Sequence, residues 1–178
     1  ACVEAGTDYL DLTGEAAFVE RIERSLAEQA RRNGVRLIPC CGFEAAIADL
    51  GVWFAVKHLP IDGPVAVRGY VTVSGQLSGG SLQTALLAMG DLRRARLPLP
   101  HLDAPRTVRH LRPTLGWHSA LRGWVLPMSM IDQDIVLRSA ACLPAYGEDF
   151  AYAHHIVFQR FGAILGIVGK LLLMVVGA

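Results

Sequence analysis

Two short stretches carry residues whose types and spacing suit a binding edge. They are Leu12-Thr13-Gly14-Glu15 and Cys40-Cys41-Gly42-Phe43-Glu44. Each sets a glycine where a strand-like run gives way to a helix-like one. A missing Cβ lets a ligand approach the backbone, and the N–H groups that open a helix can receive an anion or a polar ring edge. The same residues also serve as ordinary helix starts, with Thr13 as a natural N-cap. Binding and capping therefore stand as alternatives at this point. Gly79-Gly80-Ser81 repeats the signal ahead of a helix-like run. His154-His155 is a further pair able to move protons, although adjacent histidines more often belong to a core or an interface. The chain contains no HxxxH, GxSxG or GxGxxG.

Four cysteines, Cys2, Cys40, Cys41 and Cys142, form neither a CxxC pair nor a metal-ligand spacing. Cys40 and Cys41 project in opposite directions if they end a strand, so they do not bridge each other. Reduced thiols in a cytoplasmic protein are expected. The net charge of +1 gives no global pull towards nucleic acid, and no aromatic residues interleave with the basic ones as base stacking requires. Charge is uneven, however. Arg93, Arg94, Arg96, Arg106, Arg109, Arg112 and Arg122 stand against Asp103 alone between residues 92 and 124, a stretch suited either to an anionic head group or to a solvated loop.

These candidate residues need elements to position them. Cys2–Gly6 reads as the end of a helix with Gly6 as its cap, so the chain reads as a piece of a longer protein. A short strand follows in Asp8–Gly14. Phe18, Ile22, Leu26 and Ala30 then recur every four residues, with Glu20, Arg21, Glu23, Arg24 and Glu28 opposite, which predicts an amphipathic helix ended by Asn33-Gly34. Val35–Cys40 predicts a second strand and Glu44–His58 a second helix. Strand, helix, strand, helix is the signature of parallel βαβ units and a doubly wound α/β sheet. In such sheets ligands lie beyond the carboxyl ends of the strands, where the two glycine-bearing loops fall.

The pattern changes after Pro60. Val65, Val67, Val71 and Val73 alternate with Arg68, Tyr70 and Thr72, which predicts a strand of an antiparallel sheet with one covered face. Ser81–Met89 reads as a helix, and Gly123–Ser129 and Asp134–Ala140 read as strands. The mean hydropathy of +0.36 owes much to residues 150–178. That stretch lacks proline and, with Lys170 badly placed for a spanning helix, reads as a helix lying on a lipid surface. The expected division is 1–60, 61–149 and an apolar segment over 150–178.

Read in order, "YLDLTGE", "CCGFEAAIADLG", "SGGSLQTAL" and "IDQDIVLRSA" resemble segments of the saccharopine dehydrogenase-like oxidoreductases, the trans-acting enoyl reductase branch among them. The resemblance extends over nearly the whole chain. It implies the C-terminal half of a Rossmann-like sheet followed by an α+β domain, a nicotinamide cofactor (NADP or NAD), and a lipid-like substrate. It assigns no catalytic residue. Carried over by position, Tyr9, Asp11, Thr13, Gly14 and Glu15 match the first motif, and Cys41, Gly42, Phe43, Asp49, Leu50 and Gly51 the second. The implied cofactor-binding residues are Thr13, Gly14, Glu15, Cys41, Gly42 and Phe43. The glycine-rich pyrophosphate loop is expected ahead of Ala1. Glu44 replaces the family's Asp, and Ala45, Ile47 and Ala48 replace its Ser, Pro and Ser, so two hydroxyls are gone. A non-catalytic protein of lipid or membrane surfaces, built on the same fold, is the alternative.

Overall fold

The computed structural model describes residues 1–60, 63–72, 97–99, 106–128 and 131–159. The expected helix at Ser81–Met89, the Gly79-Gly80-Ser81 turn and residues 160–178 lie outside them.

The N-terminal part is one βαβ unit followed by a helix. β1 (Tyr9–Leu10) pairs in parallel with β2 (Leu37–Ile38), and α1 (Ala16–Arg32) makes the crossover. The helix forms where its periodicity predicts. Ala16, Val19, Ile22 and Ala30 are buried, while Glu20 and Arg24 pair across one turn on the outer side. Asn33 caps it and Gly34 takes φ +66°, a left-handed value that glycine adopts without strain. Gly6 does the same at the end of the first turn. The N-cap lies at Glu15 rather than at Thr13. The Thr13 hydroxyl accepts the Glu15 N–H at 3.2 Å, two residues too early to cap the helix itself.

α2 (Phe43–Lys57) leaves β2 directly and leads to a second, mixed sheet. Its central strand is β7 (Asp149–Phe158), buried almost from end to end. β3 (Val65–Thr72) runs parallel along one edge of β7. On the other edge β4 (Thr107–His110) runs parallel to the first half of β7, and β6 (Gly123–Pro127) antiparallel to its second half. β5 (Gly116–His118) continues from β6. α3 (Ile131–Cys142) and a 3-10 turn at Pro144–Tyr146 precede β7.

Three expectations are corrected. The strand at Asp134–Ala140 is the body of α3, whose Val136, Leu137 and Ala140 pack inward at helical spacing. The helix expected from Phe150 is a strand as far as Phe158. A strand covered on both faces has no polar alternation and so resembles an apolar helix in sequence. The sheet after Pro60 is mixed rather than antiparallel, because β3 meets β7 in the same direction. Among the described residues no helix is long and apolar enough to cross a membrane.

The main core forms between α2, α3 and β7. Val52 and Val56 meet Val136, Leu137 and Ala140 over Phe150 and Tyr152, and Tyr146 packs edge-on against Phe150 with ring centroids 4.9 Å apart. A second cluster joins Ala16 and Val19 of α1 to Ala45 of α2 and Ile131 of α3. α2 thus belongs to both cores and fixes the strand ends of the first sheet relative to the second.

Candidate functional site

The site begins at the carboxyl ends of β1 and β2. Asp11, just past β1, organises both loops. Its Oδ1 accepts the backbone N–H of Thr13 at 2.9 Å and that of Cys40 at 3.0 Å, and its Oδ2 accepts the Tyr9 hydroxyl at 2.7 Å. Its own carbonyl accepts the Cys41 N–H at 2.8 Å. Burial pushes the Asp11 carboxyl up, but the N–H of Thr13, the Tyr9 hydroxyl and the N–H of Cys40 together hold it below its ordinary value. Asp11 is therefore a charged staple between the loops.

Thr13 and Gly14 are half-buried and Glu15 is exposed, all in the first loop. In the second, Cys40 is buried at φ +64°. Its thiol is pushed up to about 12, chiefly by burial. Cys41 is half-buried and directs its thiol to the Ile38 carbonyl. Gly42 has φ −63°, which any residue can adopt, so a positive φ is not why glycine stands there. A Cβ at Gly42 would lie 3.5 Å from the Leu12 carbonyl oxygen, an ordinary contact, so packing against Leu12 does not require glycine either. Phe43 opens α2 with its ring 74% exposed. The sequence-derived residues thus come from two loops that Asp11 and the Gly42–Leu12 contact bring edge to edge.

From Phe43 a cleft of about 240 Å³ runs between α2 and the second sheet. Phe43, Ile47 and Val52 form its helical wall, and Val71, Met128 and His154 face them from β3, the end of β6 and β7. The first-sheet loops and the cleft therefore share Phe43. Sequence reasoning singled out His154 but missed Tyr152 and Gly69, which meet it in the strand wall. Tyr152, also in the wall, places its hydroxyl 3.1 Å from His154 Nδ1. The adjacent His155 plays a different part. The Thr114 N–H donates to its Nε2 at 3.1 Å, so its Nδ1–H is the donor to the Gly69 carbonyl at 3.3 Å. His155 is a fully buried brace, stacked on Tyr70. Both histidines are held below their ordinary pKa by burial first, His154 at about 4. Gly69 was the available sequence signal. A glycine inside a strand marks a close approach, and here a Cβ would fall 2.3 Å from the Tyr152 hydroxyl.

Known proteins resemble the chain over most of its length. A saccharopine dehydrogenase-like oxidoreductase of Arabidopsis thaliana is 29% identical over 156 residues, 80% of this chain and 34% of its own. A protein of Mycobacterium tuberculosis named as a trans-acting enoyl reductase is 31% identical over 185 residues, 86% of this chain and 42% of its own. The chain is a relative of the saccharopine dehydrogenase-like oxidoreductases. A lipid droplet localized protein of Caenorhabditis elegans is 30% identical over 155 residues, 78% of this chain and 36% of its own. The chain thus spans between about a third and two fifths of the length of these relatives. No family model and no solved structure matches it. Within the oxidoreductase pattern, Tyr9 and Asp11 have a visible structural task, the staple. Ile47 and Ala48, which stand where that pattern has Pro and Ser, both line the cleft.

Proposed function

We propose that the chain is part of an NAD(P)-dependent oxidoreductase of the enoyl-reductase type, acting on a lipid-like substrate. The observation that carries this reading is the cleft that starts at Phe43, beside the carboxyl ends of two parallel strands, and continues between apolar walls. Ligands of α/β sheets sit beyond such strand ends. The names of the relatives, an enoyl reductase and a lipid droplet protein, point the same way. The replacement at Ala48 removes a hydroxyl from the wall, which suits an aliphatic substrate.

The residues present fit the edge of a nicotinamide ring. The Phe43 ring is exposed and flat, Gly42 presents no Cβ, the N–H groups that open α2 have no partner within the helix, and the Thr13 hydroxyl belongs to the other loop, just beyond β1. In this reading Thr13, Gly14, Glu15, Cys41, Gly42 and Phe43 hold that edge. A nicotinamide bound there would supply a hydride. The chain's own residues orient the ring, exclude water through Phe43 and the cleft walls, and receive the apolar acceptor. Fluorescence titration of the full-length protein with NADPH and NADH tests the reading. Saturable binding of either supports it, and binding of neither removes it.

One observation favours the alternative of a non-catalytic lipid-surface protein. Phe43, Ile47, Leu50 and Phe54 recur at helical spacing along α2, and each is more than half exposed. Flotation of the full-length protein with liposomes, with and without Ile47→Glu and Leu50→Glu together, tests that reading. Flotation that is lost in the double variant supports it, and an intact protein that stays in solution removes it.

A further inference from the structure

The strand wall of the cleft contains a built polar pair in otherwise apolar surroundings. Tyr152 and His154 are two residues apart on β7, so their side chains share a face. Gly69 of β3 stands directly opposite His154 in the parallel register. Its missing Cβ makes the space that the Tyr152 hydroxyl occupies. Tyr152 is 1% and His154 6% exposed.

The hydrogen-bond pattern sets the tautomer. A buried hydroxyl needs an acceptor, and among the described residues His154 Nδ1, at 3.1 Å, is the one within reach of Tyr152. The hydroxyl therefore donates, Nδ1 accepts, and the proton of the neutral ring sits on Nε2. Burial and the neighbouring His155 keep the ring neutral at ordinary pH. Nε2–H then remains as the ring's second donor at the cleft wall, with no protein partner among the described residues. This nitrogen is not among the fully buried unpartnered atoms, so water can meet it in the free cleft; a ligand that displaces that water without offering an acceptor forfeits roughly 1–3 kcal/mol. Phe43, Ile47, Val52, Val71 and Met128 in the same walls offer it no side-chain oxygen.

We infer that the Tyr152–His154 pair anchors the carbonyl oxygen of a substrate whose body is an aliphatic chain of medium length. This rests on reading the cleft as the substrate site, and it names the chemical class. The volume of about 240 Å³ holds a chain of medium length; it is on the order of eight waters at ~30 Å³ each. A carboxylate fits poorly, because a neutral imidazole does not offset a negative charge moved into an apolar cleft. A plain hydrocarbon leaves the donor unmet. A ketone, ester or thioester carbonyl satisfies both requirements.

The test needs no nicotinamide. Full-length protein is titrated with 2-octanone carrying a ¹³C carbonyl, with octane and with octanoate, and the bound ketone is followed by isotope-edited infrared spectroscopy. The expected result is a carbonyl band shifted below its position in hydrocarbon solvent, with the ketone bound at least tenfold more tightly than octane or octanoate. In His154→Phe the band returns towards the hydrocarbon position and affinity falls about tenfold. A band unshifted in the unaltered protein, equal affinity for ketone and octane, or no saturable ketone binding would each overturn the inference, whether or not the variant folds. A negative result leaves cofactor-dependent reduction standing. A protein that binds the ketone with the shifted band but never binds NADPH or NADH keeps the anchor and loses the oxidoreductase reading.

Discussion

Asp11 Oδ1 accepts the backbone N–H of Cys40 at 3.0 Å, across 29 positions of sequence. This bond joins the carboxyl end of β1 to that of β2 and sets the spacing of the loops that Phe43 and Thr13 flank. Charged acceptors make the stronger hydrogen bonds, and Asp11 holds three donors at once. Partial exposure screens the charge, so Asp11→Ala is expected to cost about 1–2 kcal/mol, read from urea unfolding. Because the folded-state pKa of Asp11 is depressed, its contribution is complete above the unfolded value of about 3.9 and is lost as pH falls through the folded value.

Gly69 and Tyr152 form a coupled pair. Gly69→Ala puts a methyl 2.3 Å from the Tyr152 hydroxyl and 3.1 Å from the ring carbon that bears it. The overpacking is expected to cost on the order of 2 kcal/mol. Adding Tyr152→Phe removes the closer clash, so the double variant should recover part of the loss. A double-mutant cycle from chemical denaturation measures the coupling. Strict additivity would show that the two residues do not meet.

The buried histidines give stability a pH dependence of known sign. His154 titrates near 4 in the fold, against about 6.5 in the unfolded chain. Between those values the unfolded state binds more protons. The His154 contribution is therefore complete above about pH 6.5 and declines as pH falls towards 4, at a limiting slope of about 1.4 kcal/mol per pH unit. His155 acts in the same direction. Unfolding free energies measured from pH 7 to pH 4 should fall less steeply in His154→Gln than in the unaltered protein.

Much of the first sheet was legible in the sequence because its signals are local. Phe18, Ile22, Leu26 and Ala30 mark α1, Asn33-Gly34 its end, and the two glycine loops the strand ends. The second sheet was legible only in part. The alternation of Val65 and Val67 identifies β3 correctly, but the direction of its partner is a tertiary fact. Asp134–Ala140 is too short a run to tell strand from helix by period. Phe150–Phe158 is buried on both faces and lost its period altogether. Tyr152 and Gly69 in the cleft's strand wall were missed for the same reason. Gly69, Tyr152 and His154 meet only through the pairing of β3 with β7, more than 80 positions apart.

Gly42 separates a binding role from a packing role. Its φ of −63° and the 3.5 Å distance from a built Cβ to the Leu12 carbonyl leave room for alanine. Gly42→Ala should therefore melt within a few degrees of the unaltered protein. If the loop closes on a nicotinamide, the same variant should bind NADPH or NADH several-fold more weakly by fluorescence titration. Equal affinity would confine Gly42 to packing.

The central claim, reduction of an apolar carbonyl-bearing acceptor by a nicotinamide cofactor, is tested most directly by isotope transfer. Full-length protein is incubated with NADPH or NADH deuterated on either face of C4 and with a medium-chain 2-enone, and the saturated product is analysed by mass spectrometry. The account predicts that one cofactor delivers one deuterium to the product's β-carbon, from one face only, and that His154→Phe raises KM more than it lowers kcat. Unlabelled product, or no reduction of any enone, enoyl ester or enoyl thioester with either cofactor, would contradict it.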